Sequence, residues 1–147
     1  MPLRIATRIA KNGDANFAYD LRERAMRGYV EATWGAWEPM QARAQIDEDI
    51  SKSRLSIIEV DRVAVGMMRV DEHSSHIHVD QLFLLPQHQN QGIGRFLVES
   101  ILSAAKVRGL PVRLWVLRVN PARHFYERLG FQIVEETAAS LCLQSAA

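Results

Sequence analysis

The span from 76 to 117 constrains the fold more than any other part of the chain. "HIHVDQLFLLP" (76–86) reads as a strand closed by Pro86. Residues 92–108 place Leu97, Val98, Ile101, Leu102 and Ala105 on one helical stripe, and "VRLWVL" (112–117) reads as a buried strand. Gly109 and Pro111 stop the helix between them. A strand–helix–strand crossover of this kind needs a sheet with a helical layer against it. The flanking sequence supplies the rest. "LRIATRI" (3–9) alternates as a strand, and Asp14 is placed to cap a helix running to about Arg27, with Gly28 as its stop. "YVEATWGAWEP" reads as an irregular aromatic connection to a mostly polar helix over 39–52, whose acidic run 47–49 reads as a solvated face. Strands at 55–60 and 63–70 form a hairpin around Asp61-Arg62, without the glycine such turns favour. Pro121 opens a short helix to Leu129, and strands at 131–137 and 139–144 close the chain as a hairpin. The order β-α-α-β-β-β-α-β-α-β-β predicts an α+β, or mixed α/β, domain spanning 1–147 around one sheet.

Two glycines interrupt the helix entrance in "PQHQNQGIGRFL" (86–97). Glycine costs about 1 kcal/mol relative to alanine inside a helix. A pair there therefore implies that backbone is meant to be exposed. An amide-rich loop leading into a helix N-terminus offers unpaired N–H groups at the positive end of a dipole, a site suited to phosphate. A P-loop is excluded, because no Gly-Lys-Ser or Gly-Lys-Thr follows. A dinucleotide site lacks its third glycine, since position 97 is Leu. Gln89-Asn90-Gln91-Gly92-Ile93-Gly94 resembles a third phosphate pattern, that of acyl-coenzyme A sites: Gln or Arg, two residues, Gly, one residue, then Gly or Ala. Composition narrows the classes further. The net charge of +1 gives no basic field for nucleic acid, and no apolar run approaches the ~18 residues of a membrane span. The single cysteine, Cys142, excludes an internal disulfide and a cysteine-based zinc site, and with no leader pattern at the start the expected setting is cytoplasmic.

Together with "RVNPARHFYERLGF" (118–131), the glycine loop makes the chain resemble a GCN5-related N-acetyltransferase. The resemblance covers most of the chain and is firmest over 55–136. It implies a central mixed sheet of about seven strands flanked by about four helices, with strands four and five splayed apart. It implies acetyl-CoA as co-substrate, no metal, and direct transfer of the acetyl group to a primary amine of a small molecule or peptide; it also allows a homodimer. Gln89, Asn90, Gln91, Gly92, Ile93, Gly94 and Arg95 would cradle the pyrophosphate, while Phe83, Leu84 and Leu85 would pair with the pantetheine arm as an added strand. Asn120 would hold that arm, and Tyr126 would protonate the departing thiolate. The step from Asn120 to Tyr126 is one residue shorter than the family pattern. Tyr29 and Trp34 fall where relatives build the acceptor site.

The chemistry needs a neutral amine, a donor for the carbonyl oxygen and an acid for the sulfur. The Leu84 N–H is the expected donor. For the base, alternation puts His76, His78 and Asp80 on one strand face, with His78 and Asp80 nearest to where relatives carry a glutamate. Histidine as a residue type suits a base at neutral pH, whereas Asp80 would need a raised pKa. The alternative for the whole chain is a non-catalytic acyl-CoA-binding module.

Overall fold

The computed structural model describes residues 3–146. Seven strands form one mixed sheet: β1 (Ile5–Ile9), β2 (Ser56–Val60), β3 (Val63–Glu72), β4 (Ile77–Leu84), β5 (Val112–Leu117), β6 (Gln132–Glu136) and β7 (Ser140–Gln144). Their order is β1-β2-β3-β4-β5-β7-β6, antiparallel throughout except for the parallel β4–β5 pair. Four helices flank it: α1 (Ala15–Trp34), α2 (Pro39–Ser51), α3 (Ile93–Val107) and α4 (Ala122–Arg128). Period-two alternation sends Ile57 and Ile58 to opposite faces, and a bulge that leaves Val65 unpaired on β3 separates it from Met67 in the same way. Ile57 and Met67 meet Ala18, Leu21 and Ile46 of α1 and α2, whereas Ile58 and Val65 meet Ile93 and Leu97 of α3. A third cluster packs Val112, Leu114 and Val116 against Val98, Tyr126 and Phe131. None of the helices among the described residues is long and apolar enough to cross a membrane.

Three expectations are corrected. Helix α1 runs through Gly28 to Trp34, and the stop is Gly35, left-handed at φ +89° with its N–H on the Glu31 carbonyl. Gly28 is exposed, and half-buried Ala25, Met26, Tyr29, Val30 and Thr33 continue the inner side of the helix past it, enough to outweigh its modest propensity cost. The carboxylate of Asp14 does not cap α1: it accepts from both terminal nitrogens of Arg8 at 2.8 and 2.9 Å and from the Lys11 N–H. The acidic run 47–49 is not uniformly solvated, because Asp49 is fully buried.

Two local features shape the sheet at its centre. Parallel pairing of β4 with β5 ends after Ile77–Val112 and His78–Arg113, so the strands diverge beyond His78. On its other edge β4 carries a bulge: Val70 faces Val79, and the next β3 residue, Arg69, faces Gln81. Asp80 is the extra residue. Val79 and Leu82 consequently share the α3 face, while Asp80 and Gln81 both serve the opposite one.

Candidate functional site

The divergence of β4 and β5 opens two cavities that meet. The larger, about 550 Å³, lies between α1, the end of β4, the start of α3 and α4. Gln89, Asn90, Gly92, Gly94 and Arg95 line it, as do Tyr29, Phe83, Leu84, Asn120 and Tyr126. Gly92 stands at the α3 N-cap with φ +82°, and Asn90 reaches φ +60°. No side chain caps this helix, which leaves the N–H groups of Ile93, Gly94 and Arg95 without intrahelical partners. Among the proposed loop residues Ile93 contributes backbone only, since its side chain is in the core at 1% exposure. Gln91 does not reach the cavity: its amide donates to the Gln87 carbonyl at 3.0 Å.

The β4 edge is oriented for an added partner. The Leu85 N–H donates to the Val65 carbonyl on β3 at 2.8 Å. Alternation then turns Leu84 the other way, toward the gap. Gln89 Nε2 donates to the Leu84 carbonyl there at 3.0 Å, which places the Leu84 N–H on the same open side.

The smaller cavity, about 180 Å³, continues into the gap itself. Met26, Leu82, Phe83, Asn120, Ala122 and Tyr126 line both spaces and form the junction. Tyr126 is held edge-on by Phe125 and Phe131, with ring centroids 5.0 and 5.4 Å away. Among the described residues its hydroxyl has no hydrogen-bond partner, and burial pushes its pKa up to about 12. Asn120 Oδ1 accepts the Ala122 N–H at 2.9 Å, fixing the turn into α4 and leaving its Nδ2 as the donor at the junction.

Asp80 lines the smaller cavity; His78 does not, though its Nε2 lies 3.7 Å from Asp80 Oδ1. That separation is an ion-pair distance, too long for a hydrogen bond. The imidazole is the largest influence holding the Asp80 carboxyl below the usual carboxylate range, against the opposing effect of burial, with help from Gln81 and Arg69. The raised pKa that a lone aspartate base needs is therefore absent. His76 precedes β4; its ring packs against His73 at 4.7 Å and against His78 edge-on at 6.3 Å. Burial, Arg113 and the neighbouring imidazoles lower its pKa.

Trp34 is not brought in. It sits 62% exposed at the end of α1 and lines neither cavity. Residues unassigned by sequence take its place: Met26 at the junction, and a buried network behind Asp80. Asp49 accepts from Gln45, Arg54 and Arg69 at 3.0–3.1 Å through Oδ1, and from Gln81 at 3.2 Å through Oδ2. The signal was periodicity. Ala42, Ile46, Asp49 and Ile50 repeat as one buried helical stripe.

Comparison with known proteins agrees with this geometry. Residues 51–133 match the acetyltransferase (GNAT) domain model. An uncharacterized N-acetyltransferase of Archaeoglobus fulgidus is 36% identical over 117 residues, covering 69% of this chain and 80% of the relative. Among solved structures, the PaiA N-acetyltransferase of Thermoplasma acidophilum in complex with coenzyme A superposes with TM-score 0.74 at 17% identity, over 98% of this chain and 99% of that one. An acetyltransferase of Thermus thermophilus gives 0.75 at 16% identity, over 97% and 96%.

Proposed function

Because the chain belongs to the GCN5-related N-acetyltransferase family and is an acetyl-CoA-dependent enzyme, we propose that it acetylates a primary amine of a small molecule or peptide at the junction of its two cavities. Residues 1–147 act as one acyltransferase unit in this reading. The observation that carries it is the gap: parallel pairing stops after two residue pairs, and the opening connects an uncapped helix N-terminus to Tyr126, a buried tyrosine that lines both cavities.

Acetyl-CoA supplies a thioester, whose sulfur is already a fair leaving group with a thiol pKa near 8.5. The first turn of α3 and the loop 89–92 receive the pyrophosphate on backbone N–H groups, with Gly92 keeping side-chain bulk away. The open edge at Leu84 and the Asn120 Nδ2 hold the pantetheine arm, and Gln89 must yield or share the Leu84 carbonyl when it docks. The Leu84 N–H then polarises the acetyl carbonyl. Alkyl amines with pKa values around 10 arrive charged; Asp80, which lines the cavity, receives the ammonium, and the Asp80–His78 pair takes up its proton. As the C–N bond forms and the C–S bond breaks, Tyr126 gives its phenolic proton to the sulfur and is refilled by the second amine proton. A hydroxyl with its pKa pushed up to about 12 stays protonated until that moment.

The test is acetyl transfer from acetyl-CoA across a panel of small amines and amine-terminated peptides, read as thiol release. Turnover lost in Tyr126→Phe while CoA still raises the unfolding temperature supports the assignment. Unchanged turnover in that variant removes Tyr126 from the chemistry.

A further inference from the structure

The smaller cavity carries a choice of substrate in its charge pattern. Asp80 is the one charged residue among those that line it, and the walls are mainly apolar, with Leu82, Leu114, Val116 and Leu117 prominent. At about 180 Å³ it lies below the ~300 Å³ at which pockets for drug-sized ligands begin. Building on the acetyltransferase reading, we propose that the acceptor is a compact primary amine with an apolar body and no carboxylate on the carbon that bears the nitrogen, its ammonium held by Asp80.

The bulge in β4 makes this possible. In an unbroken strand Asp80 and Gln81 would point to opposite faces. Here Gln81 Nε2 bridges Asp49 Oδ2 at 3.2 Å and Asp80 Oδ2 at 3.3 Å. Arg69 Nη1 stands 3.0 Å from Asp49 Oδ1 and 3.8 Å from Asp80 Oδ2. Oδ2 is thus tied to the interior, and Oδ1 is left for His78 and a ligand. Gln81, Arg69 and buried Asp49 are positioning residues for that carboxylate.

An amino acid carries its carboxylate within one carbon of the amine, so binding its nitrogen at Asp80 would bring two anions together with no cavity-lining cation to offset them. The nearby cations stand outside the cavity wall. Arg69 is engaged by Asp49 and Asp71, with Nη2 3.0 Å from Asp71 Oδ2. Arg22 lies one helical turn before Met26, but it does not line the cavity, and its unpartnered Nη1 is sealed from solvent.

Matched pairs test this: 3-methylbutylamine against leucine, and 2-phenylethylamine against phenylalanine, titrated into CoA-saturated protein by calorimetry. The amine of each pair is expected to bind at least about tenfold more tightly. Asp80→Asn is expected to erase most of that gap while CoA still stabilises the variant, which shows the fold and the larger cavity intact. The inference is overturned if the amino acids bind as tightly, if neither amine binds, or if the preference survives in Asp80→Asn. Amino-acid binding that disappears in Arg22→Met would mean that Arg22 swings into the cavity and that the acceptor carries a carboxylate. Acetyl transfer is scored separately. Selective amine binding without transfer would sink the catalytic reading alone, and transfer confined to the amino acids would sink this inference alone.

Discussion

The two cavities that meet at Tyr126 are built from different materials. The larger is bounded at its far end by backbone: a left-handed Gly92, a left-handed Asn90 and an uncapped helix turn. The smaller is bounded by side chains, and its one charge is positioned by residues from α2, β3 and β4. A backbone site can serve any chain that places glycine before a helix, and so suits a co-substrate shared across a family. A side-chain site depends on which residues the tertiary fold brings together, and so suits the variable acceptor.

The largest effect that would break this contrast is on the network behind the smaller cavity. Asp49→Ala leaves Arg69 and Arg54 facing a buried vacancy, and is expected to cost about 3–5 kcal/mol in urea denaturation. A cost within experimental error would mean that the network does not hold the Asp80 side together. On the backbone side, Gly92→Glu puts a strained, anionic residue at φ +82°. It is expected to abolish stabilisation by acetyl-CoA, which reaches about 2.7 kcal/mol at a hundredfold excess over the dissociation constant. Retained stabilisation would move the phosphate site elsewhere.

At the junction, Tyr126→Phe is expected to lower kcat by roughly a hundredfold with little change in CoA affinity. The same residue sets a pH signature. Its folded pKa of about 12 lies above the unfolded value near 10, so the preference for the neutral phenol is fully present below pH ~10 and is lost as pH rises toward 12. Stability should fall across that window by up to about 3 kcal/mol, and Tyr126→Phe should flatten the fall. The smallest effect is expected at Trp34→Ala: its exposed ring lines neither cavity, so stability should move by no more than about 0.5 kcal/mol and kinetics not at all. A changed KM there would bring the end of α1 back into the acceptor site.

The element order was legible because each element carried its own period or punctuation. Gly109 with Pro111, the stripe from Leu97 to Ala105 and the "VRLWVL" run each match an observed boundary within a residue or two. Gly28 misled because propensity is a weak local term. The half-buried side of α1, continued by Tyr29, Val30 and Thr33, carried the helix seven residues further, to the glycine whose positive φ ends it. Tyr29 consequently faces the larger cavity from a helix rather than a loop, and Trp34 faces solvent.

What the sequence by itself determined was the order of elements and the glycine-shaped helix entrance, because these rest on contacts between near neighbours in the chain. How the Asp80 carboxylate is held, only the tertiary structure decided. The period-two rule, applied strictly, puts Gln81 across the sheet from Asp80. A single extra residue opposite Arg69 and Val70 brings the two together, over an aspartate 32 positions before Gln81 in the chain. A bulge is set by pairing with another strand, and the burial of Asp49 by helix α2 packing on that sheet, so neither is encoded in a local pattern.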